Sequence, residues 1–337
     1  MAAGVGDLED RHALATPRGV EALLVRVAAA VDDVRGSAVL GRVEALVRAA
    51  GLDDARGAVD LVVLGVGPFA TSAPARYQLA LALLLRERLG IPPRPVPGGA
   101  GGVCERDVAR VELFEPVLSP LEKEVLRAGL GVEVGEVDHE GRQEVRRYSQ
   151  DGSAEGREAA RGAEQVGGNP YRRTLFYMPH TPAKLYVNVL GANWDAQRLA
   201  RTVVLGNSFR AYVDRWSPPV AVRPPVSDRA RNFVLRCVPV LSEGRVTSSS
   251  TVQGAAASGR GVDLANEAMF ADMLSLRSDL SLPPLKQADA EFGHAPSAFN
   301  DLSLHWFTSE KLNARPDTFW AIGGKCDTVV AAEDSDA

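Results

Sequence analysis

The sequence predicts an α/β protein with a mainly parallel sheet and helices on both faces. Three observations carry that prediction. Apolar runs of strand length pass directly into helical patterns four times, one of those units carries Gly65 and Gly67 at its turn, and the 337 residues are 45% hydrophobic and 24% charged, close to globular averages. Repeated strand-to-helix units imply right-handed crossovers, which gather every strand's carboxyl end on one edge of the sheet.

The elements follow in order. Val20, Leu23, Leu24, Val27, Val31 and Val34 recur at helical spacing, as do Val39, Val43, Leu46 and Val47, so two amphipathic helices precede the first core strand and pack on the sheet. Val59 to Gly65 is that strand, and the helix that starts near Pro74 is apolar around most of its circumference, which requires burial. Ile91 to Gly102 is Pro/Gly-rich loop, and Val108 to Pro116 is the second strand. Ser119-Pro-Leu-Glu122 is a capping box with proline at the first helical position; its helix ends near Gly129 or Gly131, before a short strand over Val132 to Val137. Asp138 to Asn169 lacks periodicity and reads as a solvated insertion. Order returns with a strand over Arg173 to His180, a cap at Thr181-Pro182, and a helix with Leu185, Tyr186, Val189 and Leu190 inward. Arg201 to Ser208 repeats the pattern, with Asn207 or Ser208 as the cap. Trp216 to Val226 and Ser242 to Gly261 read as loops, Val262 to Leu276 as a helix, and Phe299 to Phe307 as a strand with Leu302, Leu304 and Trp306 on one face and Ser303, His305 and Phe307 on the other.

Composition excludes several functions. A net charge of −5 without a Lys/Arg cluster disfavours nucleic acid and anionic membranes, and no apolar run reaches spanning length. Cys104, Cys237 and Cys326 are odd in number and far apart, which fits neither a disulfide framework nor a cysteine zinc site, and points to a reducing compartment. Met1 to Ala30 carries Asp7, Glu9, Asp10 and Glu21 and no continuous apolar core, unlike a signal or transit peptide. The chain is expected to be soluble and cytoplasmic, with the nucleus as a second location.

The candidate chemistry collects at the carboxyl edge. Gly65 and Gly67 suit a close approach to a phosphate or carboxylate, but Ala70 stands where a third glycine would complete the dinucleotide fingerprint, and no acid lies at the usual distance for a ribose. The plain alternative is a tight turn that packs a helix closely. Glu115 and Ser119 follow the second strand, His180 and Thr181 the fourth, Asn207 and Ser208 the fifth. The hydroxyls among them, with Thr71 and Ser72, serve equally well as helix caps. His180 and His305 lack companions at metal-ligand spacing, so no metal site is expected.

Five segments in this order resemble the sensitivity-to-red-light-reduced family of SRR-like domains: Gly65 to Ala80, Glu115 to Glu124, Thr174 to Pro182, Leu205 to Phe209, and Ala298 to Phe307. They bring Ser72, Arg76, Asn300 and Asp301 into the set of candidate ligand-binding residues, beside Gly65, Gly67, Glu115, His180, Asn207 and Ser208. The resemblance places an SRR-like α/β domain of Rossmann-like type over residues 57–308, with insertions at 138–169 and 216–261. Residues 1–56 would form N-terminal helices packed on it, and 309–337 a tail. Thr181 stands where the family commonly has cysteine, so a thiol role is lost here; Glu115 stands where it often has aspartate, so an acidic role survives. The resemblance implies regulatory roles in light signalling, circadian timing and heme biosynthesis, through a small ligand or a protein partner at the carboxyl edge, and no defined reaction. The alternative is a transferase built like the adenosylmethionine-dependent methyltransferases, with a nucleotide-type cofactor such as adenosylmethionine held by Gly65, Gly67 and Glu115. Against it, Val63 occupies the position of the usual acid two residues before the first glycine.

Overall fold

The computed structural model describes residues 16–52, 59–93, 109–135, 140–147, 169–216, 228–248, 285–286 and 298–321. Two helices lead. In α1 (Pro17–Arg35), Thr16 accepts from the Gly19 N–H and Pro17 occupies the first turn, while Leu23, Val27, Ala30 and Val34 form the buried stripe. Ser37 caps α2 (Ala38–Ala49), which buries Val39, Leu40, Val43, Leu46 and Val47. The first core strand β1 (Val59–Leu64) is buried throughout and leads through the glycine turn into α3 (Ala73–Arg88). Then come β2 (Val111–Phe114), α4 (Pro120–Glu124) running on into a π-turn at Val125–Gly129, and β3 (Glu133–Val134). The second half holds β4 (Arg173–Met178), α5 (Ala183–Ala192), α6 (Ala196–Leu199), β5 (Thr202–Asn207), α7 (Phe209–Trp216) and α8 (Asp228–Cys237). It closes with β6 (Leu241–Arg245), a two-stranded ladder of β7 (Thr247–Ser248) and β8 (Leu285–Lys286), β9 (Leu302–Phe307), α9 (Ser309–Asn313) and α10 (Asp317–Trp320).

Seven strands form one sheet in the order β3-β2-β1-β4-β5-β9-β6. The first five are mutually parallel, and β9 runs antiparallel to both of its neighbours, so the sheet is mixed with one reversed strand. The chain builds outward from β1 in both directions, which puts the switch in strand order between β1 and β4, where ligands of open α/β sheets lodge. Side-chain alternation sorts the core into two layers. Leu61, Val63, Leu175, Tyr177, Leu205 and Leu304 pack against α1 to α4; Val62, Phe176, Met178, Val204 and Phe307 pack against α5, α7 and α8.

Several expectations need correction. Residues 140–147 are no solvated stretch: the Val145 N–H donates to Asn193 Oδ1 at 2.8 Å, and the Arg146 Nε donates to Asp60 Oδ2, also at 2.8 Å, at the start of β1. Within 216–261 the structure places α8 and the sheet strand β6, in which Ser242 and Glu243 are buried. Residues 309–320, read as tail, form α9 and α10, with Leu312 fully buried. Thr181 does not cap α5; Pro182 takes the cap position, and the Thr181 hydroxyl turns back to donate to the Met178 carbonyl. The helix read at Val262 to Leu276 lies outside the described residues.

Candidate functional site

The turn after β1 is held open by its backbone. Gly65 and Gly67 adopt φ of +73° and +81°, the left-handed region that glycine enters without penalty. Space adds a second requirement at Gly65, where a Cβ would stand 2.6 Å from Thr181 Cγ2. Two donors of this turn are already engaged by carboxylates: the Gly67 N–H donates to Glu115 Oε2 at 2.7 Å, and the Ala70 N–H to Glu122 Oε1 at 2.7 Å. Glu122, almost fully buried, also accepts from the Ser119 N–H and hydroxyl, completing the capping box of α4. An anion aimed at Gly67 would therefore meet Glu115 rather than free N–H groups.

Of the two carboxylates at this turn, Glu115 is the more exposed. Its Oε1 accepts from the Val117 N–H at 3.2 Å, so both oxygens are positioned by backbone, and a carboxylate with two fixed bonds keeps lone pairs for further donors. The side chain is only partly buried. Glu115 lies 48 residues beyond Gly67, far outside the spacing of the usual fingerprint, and the parallel pairing of β2 with β1 brings it there.

Beyond the turn, Ser72 caps α3 by accepting from the Ala75 N–H at 3.3 Å. Arg76 reaches back to the Phe69 and Ala70 carbonyls at 2.7 and 3.2 Å, and Arg26 of α1 donates to the same Ala70 carbonyl at 3.0 Å.

The remaining candidates form a second group across the edge. His180, at φ +54°, donates its N–H to Asn207 Oδ1 at 3.1 Å and points ring Nε2 at the Ala298 carbonyl, 3.1 Å away, which also receives Gln78 Nε2 from α3 at 3.0 Å. Asn207 donates its side-chain amide to the Thr181 carbonyl and the Tyr212 hydroxyl, and its own carbonyl accepts from His305 Nε2. All of its polar groups bind protein, which makes it a clamp between the ends of β4, β5 and β9. The Ser208 N–H donates to the Asp301 carbonyl, and its hydroxyl caps α7 while donating to Glu243 Oε1 at 2.6 Å. Asn300 Oδ1 is buried without a hydrogen-bond partner. Asp301, also at positive φ, lies 3.5 Å from Arg215; burial pushes its carboxyl up to about 6 despite that guanidinium.

Glu243 and His305 are the residues missing from the candidate set. His305 is fully buried, and its Nε2 carries the proton given to the Asn207 carbonyl, leaving Nδ1 facing Glu243 Oε2 at 3.9 Å. Burial lowers its pKa and favours the neutral ring, with Glu243 acting in the opposite sense. The alternation of β9 set His305 on the face opposite Leu302 and Leu304 but did not show that this face too is buried, and nothing in Leu241-Ser-Glu-Gly-Arg245 announced its partner.

The candidates thus fall into two contacting groups, Gly65, Gly67, Ser72, Arg76 and Glu115 at the turn and His180, Asn207, Ser208, Asn300 and Asp301 opposite, joined through Thr181 against Gly65 and through the shared Ala298 carbonyl. A cavity of about 670 Å³ lies elsewhere, between α1 and the far end of α3, and is lined mainly by aliphatic side chains such as Leu24, Val27, Val31 and Leu83. It contains none of these residues. Among the described residues no group of three or more His, Cys, Asp or Glu is placed to hold a metal ion, and no helix is long and apolar enough to cross a membrane.

The family model of the SRR1 domain matches residues 43–306, from α2 to the end of β9. The chain belongs to the SRR1 family. Its SRR1 domain contains every candidate residue, whereas α1, with Arg26, precedes the match. The chain is 32% identical over 157 residues to the SRR1-like protein of Mus musculus, covering 47% of each, and 28% identical over 159 residues to Protein SENSITIVITY TO RED LIGHT REDUCED 1 of Arabidopsis thaliana, covering 47% of this chain and 43% of that one. The matched region therefore spans about half the length of these curated relatives. No solved structure matches the chain.

Proposed function

We propose that this SRR1-family protein is a regulator whose output depends on a small nucleoside-type ligand at the carboxyl edge, with the ribose diol on Glu115. The observation that carries the reading is the Glu115 carboxylate: anchored by the Gly67 and Val117 N–H groups, partly exposed, and beside the switch between β1 and β4. An acceptor so placed selects hydroxyl donors and disfavours a bare phosphate at the same spot. The plant relative is named for sensitivity to red light, which supports a signalling role in light responses or circadian timing, in cytoplasm or nucleus, passed on through a protein partner. Regulation of heme biosynthesis rests on the family resemblance alone.

The test is calorimetric titration with adenosine and with 2′,3′-dideoxyadenosine. Adenosine is expected to bind at least about tenfold more tightly, equivalent to about 1.4 kcal/mol for losing charge-assisted bonds to the diol, and Glu115→Gln should abolish the difference while the protein stays folded. Equal affinity for the two nucleosides would sink the proposal.

A second reading, a transferase of the adenosylmethionine-dependent methyltransferase type, is favoured by the sheet. The glycine turn follows the first core strand and Glu115 the second, at the switch in strand order between β1 and β4, the placement that reading asks for. Fold likeness does not establish chemistry. Tighter binding of adenosylmethionine than of adenosine, with slow release of adenosylhomocysteine, would favour this reading.

A further inference from the structure

We propose that Arg26 and Arg76 form an anion subsite at the rim of the glycine turn, which takes the phosphate of a nucleotide whose ribose rests on Glu115. The nucleotide part of this inference rests on the nucleoside reading above; the anion subsite stands on its own observations.

Two guanidinium groups from different helices converge on one carbonyl oxygen, that of Ala70. Arg76 is partly buried, and among the described residues neither it nor Arg26 has a carboxylate partner. Each guanidinium carries five N–H donors, and each uses only one nitrogen here, Arg76 sharing its own between the Phe69 and Ala70 carbonyls. Most donors of both groups therefore remain for a ligand. Burial and the neighbouring Arg26 charge both lower the pKa of Arg76, so an anion between the two cations would relieve both effects.

Four of the turn's backbone N–H groups are closed to that role. The Gly67 and Ala70 N–H groups are held by Glu115 and Glu122, the Ser72 N–H by the Pro68 carbonyl, the Ala75 N–H by the Ser72 hydroxyl, and Pro74 has none. The formal positive charge of this site is carried by the two arginine side chains. The Ala70 peptide fixes its position: its N–H is bound to the buried Glu122 and its carbonyl to both arginines, so the guanidiniums are placed before a ligand arrives. A phosphate, with several acceptor oxygens, suits two forked donors better than a single carboxylate does.

Three probes test the subsite on the full chain by calorimetry at low salt: adenosine, adenosine 5′-monophosphate and inorganic pyrophosphate. The monophosphate is expected to bind at least tenfold more tightly than adenosine, and the gain should shrink as salt rises. Arg26→Gln, on an exposed side chain, should remove the gain and leave adenosine affinity unchanged; Arg76→Lys, which keeps the charge and loses the fork, should reduce it. Equal binding of adenosine and the monophosphate, or a gain that survives both substitutions, overturns the nucleotide subsite. Arg26-dependent binding of pyrophosphate without binding of adenosine would retain the anion subsite and discard the nucleoside reading. No Arg26-dependent binding of either phosphate probe discards the subsite itself.

Discussion

Asp301 sits on a backbone turn at φ +58° with its carboxyl largely removed from water, and Arg215, 3.5 Å away, offsets only part of the cost. Its folded pKa of about 6 stands above the ordinary 3.8, so between about pH 4 and 6 the native state holds a proton that the unfolded chain has released. The contribution of this group to stability therefore falls as pH rises through that window and levels off above it, at a cost of up to about 3 kcal/mol. An asparagine side chain in its place would carry no charge, and asparagine tolerates the left-handed backbone. Asp301→Asn is expected to raise stability at pH 7.5 and to narrow the difference between urea melts at pH 4.5 and 7.5. A melt at pH 7.5 no more stable than that of the parent would contradict the assignment.

The capping box of α4 shows how one element supports another. Ser119 and Glu122 cap their own helix, yet Glu122 also holds the Ala70 N–H across 52 residues of chain, so the helix end and the glycine turn share one carboxylate. Ser119→Ala is expected to cost about 1 kcal/mol, as a lost cap does. Glu122→Ala should cost more, about 2–3 kcal/mol, because it removes the acceptor of partly buried N–H groups at Ser119 and Ala70 together, and urea denaturation of both variants measures the contrast. Only the first of these roles was legible in the sequence, since Ser-Pro-Leu-Glu is local and the contact with Ala70 is not. The same division holds elsewhere. The βα units, the stripes of α1 and α2, and the alternation of β9 are periodic and could be read; β6 could not, because Leu241-Ser-Glu-Gly-Arg245 buries polar groups paired with Ser208 and lies under Leu46, which a side chain on Gly244 would strike. That Gly67 and Glu115 share one edge follows from the βα units, but that Glu115 bonds the Gly67 N–H directly was hidden by their separation of 48 residues, beyond any local motif.

On the scale of the molecule, the segment after β9 is part of the fold. Leu312 is fully buried, Lys311 Nζ donates to Ser242 Oγ at 2.9 Å, Arg315 donates to the Pro239 carbonyl at 2.9 Å, and Phe319 and Trp320 pack against Trp194. These contacts brace the edge strand β6 from below. Truncation after Thr308 is expected to cost at least about 3 kcal/mol, of the order of removing a buried leucine with its neighbours, and to bring limited proteolysis to residues 238–248 first. A truncated chain as stable as the whole would return residues 309–320 to the status of a tail.

The reversed strand β9 also sets an order of events during synthesis. β2 to β5 each pair in parallel with a strand already made, so that these five strands, β1 included, can assemble as they emerge. β6 emerges next and finds no partner: in the sheet it pairs with β9, which arrives with Leu302 to Phe307. At about 5–20 residues per second the wait is roughly three to twelve seconds, during which β5 presents an open sheet edge to its surroundings. Closure of the sheet thus waits for β9, and for those seconds the nascent protein is most exposed to pairing with another chain or to capture by a chaperone.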